Sequence, residues 1–213
     1  MSRLHLHILG SGSKGNCALI EGPQGLIMVD DGLSRRETLK RMAELGLSAD
    51  NVSALLVTHE HSDHIKGLDV WCKHWRGPLF ASRNTLASKE SLAHLPVEEF
   101  DPGDVLEIAG VRIQTYSTSH DVINPVGYRF DSLGDSIGFA TDTGELSSHA
   151  IDTLKDCRVL ALESNHDVAM LRQGDYPRFL QERILSAKGH LSNDQAANAA
   201  RELVTDRTEQ LIA

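Results

Sequence analysis

At 213 residues, 40% hydrophobic and 24% charged, the chain has the size and apolar content of one well-buried domain over 1–213, which excludes a disordered or low-complexity protein. Its net charge of -9 argues against a generic polyanion binder, and no apolar stretch approaches the ~18 residues of a membrane span. Met1-Ser2-Arg3-Leu4-His5 leads into a strand and not a signal sequence, and Cys17, Cys72 and Cys157 are far apart with no CxxC, so packed, reduced thiols in a cytoplasmic protein are expected.

In chain order, strand-like runs near 3–9 and 16–21 flank Leu9-Gly10-Ser11-Gly12-Ser13-Lys14-Gly15-Asn16-Cys17. This is a glycine-rich turn without the helix or GK[ST] ending of a P-loop. It reads either as an ordinary hairpin turn or as open amides able to receive phosphate oxygens. A strand near 26–30 ends at Asp30-Asp31, and Ser34-Arg35-Arg36-Glu37 predicts a capping box for a helix over 34–46 with Leu39, Met42 and Ala43 on its apolar face. Beyond it, strands are expected near 54–58, 78–81, 105–108, 111–118, 125–131, 136–141, 158–163 and 209–213. Helices are expected near 64–76, 84–95, 147–155, 165–172, 176–187 and 193–205, the last opened by a capping box at Ser192-Asn193-Asp194-Gln195.

The chemistry is concentrated where the strand Ala54-Leu55-Leu56-Val57-Thr58 ends, in His59-Glu60-His61-Ser62-Asp63-His64. Neutral imidazole is the usual ligand of a borderline metal, and a carboxylate adds a harder, charged one. Strand alternation aims His59 and His61 the same way, while Asp63 and His64 follow too closely to share a single ion with them, so two adjacent metals are the economical reading. A helix cap by Ser62 or Asp63 accounts for one polar residue and leaves three histidines without a role; capping and ligation can coexist.

Further polar residues stand at the ends of later elements. His120 follows the alternating run Val111–Ser117, Asp142 ends Ile137–Thr141, and His190 sits at the entrance of the last helix. Leu160-Ala161-Leu162-Glu163-Ser164-Asn165-His166 is a strand ending in Glu-x-x-His. Lys73-His74-Trp75-Arg76 and the series Arg172, Arg178 and Arg183 are local basic clusters that read as solvated faces or as contacts for a polyanion.

The motif His59-x-His61-x-Asp63-His64, with His120, Asp142 and His190 following in order, resembles the metallo-β-lactamase-fold hydrolases. Gly10-Ser11-Gly12-x-x-Gly15-Asn16-Cys17, Thr58–Gly67, Ser119-His120-Asp121, Thr141-Asp142-Thr143-Gly144, Glu163-x-Asn165-His166-Asp167 and Gly189-His190-Leu191-Ser192-Asn193 together resemble its bacterial YycJ/WalJ-type subgroup. The resemblance implies an αββα four-layer sandwich, two mixed sheets flanked by helices, with the site at one edge between the sheets. It also implies that one metal takes His59, His61 and His120, the other Asp63, His64 and His190, with Asp142 and a water or hydroxide between them. Asp30 matches an aspartate that lies beneath the histidine loop; a turn role for Asp30 and Asp31 is the alternative. His166 matches a non-ligand histidine that stabilises the developing phosphorane or protonates the leaving oxygen, so Asp63 and His166 are the candidate catalytic residues.

The expected activity is hydrolysis of a phosphodiester by a metal-bridging hydroxide, with two divalent ions of zinc, manganese or iron. The resemblance implies a 5′-to-3′ exonuclease on DNA with a part in DNA repair. A small-molecule phosphodiesterase, a thioesterase on the same site and a catalytically idle metal-binding scaffold are the alternatives. The short stretch 143–189 leaves no room for a nucleic-acid-clamping domain, and no long exosite arm is present. The chain stops at Glu209-Gln210-Leu211-Ile212-Ala213 as a strand is entered, whereas the subgroup usually runs on, as in a domain truncated at its C-terminus.

Overall fold

Residues 54–57 are buried without interruption, which is the pattern of a strand covered on both faces. They belong to β4 (Val52–Val57) of the computed structural model, which describes residues 3–213. β4 lies within a six-stranded sheet in the order β1 (His5–Gly10), β2 (Cys17–Gly22), β3 (Gly25–Val29), β4, β5 (Leu79–Ser82) and β6 (Val97–Phe100). The first three strands form an antiparallel meander, and β3 to β6 are parallel.

The second sheet repeats this plan. β7 (Val105–Ile108), β8 (Val111–Ser117), β9 (Val126–Ser132) and β10 (Asp135–Ala140) are antiparallel, while β11 (Val159–Leu162) and β12 (Gln210–Ile212) continue parallel to β10. Parallel neighbours need long crossovers, and helices supply all of them but the one from β5 to β6. α1 (Arg35–Glu44), α2 (Ser62–Ile65) and α3 (Leu68–His74) belong to the first half; α4 (Ser148–Leu154), α5 (Val168–Gln173), α6 (Arg178–Leu185) and α7 (Asn193–Leu203) belong to the second.

Three apolar clusters define the layers. Ile20, Ile27, Val29, Ala54 and Leu56 of the first sheet pack against Ile113, Tyr128, Phe130, Ile137 and Val159 of the second. The opposite face of the first sheet, with Leu19, Met28, Leu55 and Val57, meets Met42 of α1 and Leu68 and Trp71 of α3. Ala140, Leu160 and Leu162 of the second sheet meet Ala150 and Leu154 of α4 and Ala196 and Leu203 of α7. The result is the expected αββα sandwich of two mixed sheets.

Local departures from the sequence expectation have physical causes. The helix expected over 64–76 starts at Ser62, breaks, and resumes at Leu68. At the break, Gly67 N–H donates to Asp31 O, and a Cβ there would stand 2.3 Å from Leu33 O. Neither Ser62 nor Asp63 caps α2; its N-cap is His61, with no side-chain cap bond. Residues 84–95 form successive turns instead of a helix, because Asn84 has φ +66° and the Thr85 hydroxyl donates to Ile123 O, drawing the segment towards the second sheet. β6 escaped the sequence reading because Glu98 and Glu99 are exposed and only Phe100 is buried. Ser34 caps α1 from the Glu37 amide, but the Glu37 carboxylate turns to Arg41 and the box is not closed; the box at Ser192 and Gln195 is complete.

Candidate metal centre

The strand ends of the two sheets meet at one edge, where backbone bonds such as Val126 N–H to Thr58 O join them. β4 delivers Thr58 and the histidine loop, β8 leads to His120, β10 to Asp142, and the turn before α7 to His190. Asp30 and Asp142 both have left-handed backbone, φ 59° and φ 52°, an uncommon conformation for a non-glycine residue that recurs at functional sites. Gly32 is required for the packing of the histidine loop, since a Cβ there would lie 1.5 Å from Asp63 O.

Three imidazoles face one another. His59 Nε2 is 3.1 Å and His120 Nε2 3.2 Å from His61 Nδ1. The outer nitrogens of two of them are committed: His59 Nδ1–H donates to Thr58 Oγ1 at 3.0 Å, and His120 Nδ1–H to Gly189 O at 3.0 Å. Their inner nitrogens therefore present lone pairs to a common point, an arrangement that is repulsive without a cation. Ligands about 2.0–2.1 Å from a tetrahedral ion stand roughly 3.3 Å apart, so the spacing fits one. Burial lowers the His59 and His61 pKa values, and the neighbouring imidazoles lower them further, which keeps the ligand form neutral.

A second set adjoins the first. His64 Nε2 is 3.2 Å from Asp142 Oδ2 and 3.7 Å from Asp63 Oδ2, and His190 Nδ1 is 3.5 Å from Asp142 Oδ1. Ligand atoms lie within 4.8 Å of one another in each of three groups: His59, His61 and His120; His59, His64 and Asp142; and His120, Asp142 and His190. His59, His120 and Asp142 each belong to two of these, and Asp142 is the carboxylate among them, as one placed between two ions would be. Asp63 is outside the tight groups and stands at the cleft wall, where Asn16 Nδ2 donates to its Oδ2 at 3.1 Å.

Carboxylates behind the imidazoles orient them, as they commonly do at metal sites. Asp30 is buried under the loop: its Oδ1 accepts from Thr58 N–H, and its Oδ2 accepts from Thr58 Oγ1 and from His64 Nδ1–H, each at 2.8 Å. Burial works against a charged His64, but Asp30 and Asp142 outweigh it and raise its pKa to about 10. Burial alone would raise the Asp142 pKa, yet the surrounding imidazoles hold it below the usual carboxylate range. His190 Nδ1–H donates to Glu163 Oε1 at 2.6 Å, and the same carboxylate accepts from Thr143 N–H. The donor set is thus anionic at its centre and imidazole-rich at its margins, and it suits a divalent cation.

Sequence reasoning did not single out Asn16, Thr58, Asp121 or Glu163 as site residues. Glu163 and Asn16 lie in motifs whose side chains meet the site only through the tertiary fold. His166 stands apart from the ligand groups, with both ring nitrogens buried and without hydrogen-bond partners; burial and then His190 lower its pKa. Trp75 is no platform for a polyanion: it packs against the outer core and its Nε1–H donates to Val52 O. Cys17 lines the cleft, but burial and then Asp31 and Asp30 push its thiol pKa up, so it serves as packing. The cleft beside the ligand groups has a volume of about 510 Å³ and runs between the glycine turn, Asp63, Asp142, His190 and the end of β12.

The chain matches the model of the beta-lactamase superfamily domain over residues 26–209. It is 37% identical over 212 residues to the exodeoxyribonuclease YycJ of Bacillus anthracis, covering 98% of this chain and 80% of that one. It is 34% identical over 210 residues to the exodeoxyribonuclease WalJ of Streptococcus pneumoniae, covering 96% and 78%. The Zn(2+)-bound PqqB from Methylobacterium extorquens has the same fold, with a TM-score of 0.73 at 13% identity over 97% of this chain and 89% of that one. Sequence and architecture agree, and the chain belongs to the beta-lactamase superfamily of metal-dependent hydrolases, in the group that contains YycJ and WalJ.

Proposed function

We propose that this chain is a two-metal phosphodiesterase that degrades DNA from the 5′ end and contributes to DNA repair in the cytoplasm. The observation that carries the reading is Asp142, shared between histidine groups at the wall of an open cleft. The relatives named as exodeoxyribonucleases support DNA as the substrate. Among the described residues no helix is long and apolar enough to cross a membrane.

His59, His61 and His120 would hold one ion and Asp63, His64 and His190 the other, with Asp142 between them; zinc, manganese and iron all suit these ligands. Divalent ions bound there supply a water acidic enough to ionise near ~pH 7 and positive charge for phosphate oxygens. Around them, Asp63 Oδ2 takes the nucleophile's proton and Asn16 holds that carboxylate in place. Asp30 fixes the His64 ring with its Nε2 towards Asp142, and Glu163 holds the His190 ring through Nδ1. His166, neutral and without a hydrogen-bond partner, is suited to bind the reacting phosphate or to protonate the leaving oxygen. Residues 1–213 act as one domain in this reading.

The test is digestion of end-labelled duplex DNA by purified protein with added Mn²⁺ or Zn²⁺, with EDTA, and with an Asp142→Asn control. Metal-dependent release of 5′ nucleotides, lost in the control, is expected. Cleavage of bis(p-nitrophenyl) phosphate without any digestion of DNA would place the protein among small-molecule phosphodiesterases. His166→Ala should slow turnover while bound metal, measured by elemental analysis, holds; loss of metal would make His166 a ligand.

A further inference from the structure

The α5–α6 hairpin gathers three of the exposed large apolar side chains, among them the two most exposed of the described residues, Met170 and Phe179. Met170 is 74%, Tyr176 57% and Phe179 72% exposed. Ordinary amphipathicity does not account for Phe179. On α6, Leu180, Ile184 and Leu185 lean on the body of the protein, whereas Phe179 lies on the outer face. The loop carrying Tyr176 is shaped, since the Gln181 amide donates to Tyr176 O at 2.8 Å.

The exposed face leads into the metal centre. Phe179 and Arg183 are four residues apart on α6, so they are surface neighbours about 5–6 Å apart at Cβ. Arg183 grips Asp121 with both arms, Nε to Oδ2 at 2.6 Å and Nη2 to Oδ1 at 3.0 Å. Its Nη2 is also 3.5 Å from His61 Nε2, and Asp121 Oδ1 is 3.7 Å from the same atom. Tyr176 stands in the loop that enters α6, two residues before its first turn, and is exposed like Phe179. Arg172 and Arg178 flank it, and residues 168–185 carry Arg172, Arg178 and Arg183 against Asp175 and Glu182, so the hairpin is less acidic than the rest of a protein of net charge -9.

Aromatic faces interleaved with guanidinium groups are what unpaired bases and their phosphates bind, and the contact tolerates any sequence because every base has a π-face. We propose that Tyr176 and Phe179 form a stacking platform for single-stranded DNA, on which bases of a frayed or resected end rest while the backbone runs past Arg183 to the ions. The inference rests on the nuclease reading for its substrate and adds that the strand arrives unpaired. A duplex buries its base faces and would gain little from these rings.

The experiment compares wild-type protein, Tyr176→Ala/Phe179→Ala and the aromatic-preserving Tyr176→Phe/Phe179→Trp, all metal-loaded. Binding is read by fluorescence anisotropy with nuclease-resistant phosphorothioate oligothymidylate and with a blunt duplex; turnover is read on bis(p-nitrophenyl) phosphate. The alanine pair should weaken oligothymidylate binding about tenfold or more. The duplex should be affected far less, the ratio of oligonucleotide affinity to small-ester turnover should drop, and the aromatic-preserving pair should restore binding. Failure of the wild type to bind oligothymidylate, or equal losses on single strand and duplex, would overturn the platform. So would a change of molecular mass in light scattering of the alanine pair, which would make the patch an interface between copies. Binding is measured apart from DNA cleavage, so a protein that binds single strands in this way without degrading DNA would refute the nuclease reading and leave the platform standing.

Discussion

The two sheets build the same edge by different means. The first sheet delivers His59, His61, Asp63 and His64 from one six-residue stretch after β4 that runs into α2, seated on Asp30 and Gly32. The second contributes His120, Asp142 and His190 singly, from elements far apart in sequence, each set by its own local support. Those supports are Gly189 O for His120, a left-handed backbone at Asp142, and Glu163 for His190. A contiguous loop is robust because the chain itself keeps its ligands together. A distributed set depends on the register and packing of three separate strands and helices, and single changes there should be felt more selectively.

The sharpest break of that comparison is Asp142→Asn, which removes the charge shared between groups while keeping the shape. Turnover of a small diester should fall on the order of 10³-fold, with a folded protein by circular dichroism. Retained turnover would remove Asp142 from the mechanism. On the contiguous side, Asp30→Asn should weaken metal binding by about 10–100-fold in a chelator competition, because His64 loses its charged acceptor. On the distributed side, Glu163→Gln keeps one acceptor oxygen, for His190 or for the Thr143 amide but not for both, and about a tenfold loss is expected. If Glu163→Gln costs more than Asp30→Asn, the distributed half is the more sensitive one, as its dependence on separate elements implies; the opposite order would show that the charge behind His64 outweighs the loop's connectivity.

The smallest effect concerns stability beneath the loop. Asp31 is fully buried and Thr38 Oγ1 donates to its Oδ1, while its Oδ2 has no partner; burial raises its pKa to about 7. The folded state therefore binds the Asp31 proton more tightly than the unfolded state does. Its contribution to stability is present below pH ~4, declines as pH rises towards 7 and is lost above it. Urea unfolding of wild type against Asp31→Asn between pH 5 and 8 should show the wild type losing stability relative to the variant as pH rises. A constant difference across that range would show that Asp31 is ionised throughout.

The candidate centre was legible to the extent that it was local. The density of imidazoles in residues 59–64 announced a metal site, and His120, Asp142 and His190 could be placed at element ends because apolar alternation marks where strands stop. Asn16, Asp121 and Glu163 were not separable from ordinary turn and surface polar residues, since each acquires its role only through a contact with a distant segment. The same holds for the misread elements. Nothing local distinguishes the turns of 84–95 from a helix until Thr85 bonds to Ile123, or breaks the helix at Gly67 until Asp31 and Leu33 press against it.

By itself the sequence determined most of the strand and helix order, the αββα layering through its family motifs, and which histidines and carboxylates could form a metal centre, because these are written in periodicity and in short contiguous patterns. Only the tertiary structure decided which imidazole nitrogens face inward, which carboxylates stand behind them, and that an aromatic hairpin opens beside His61. Each of those depends on the distance between side chains remote in the chain, which packing of the two sheets sets and which no local pattern encodes.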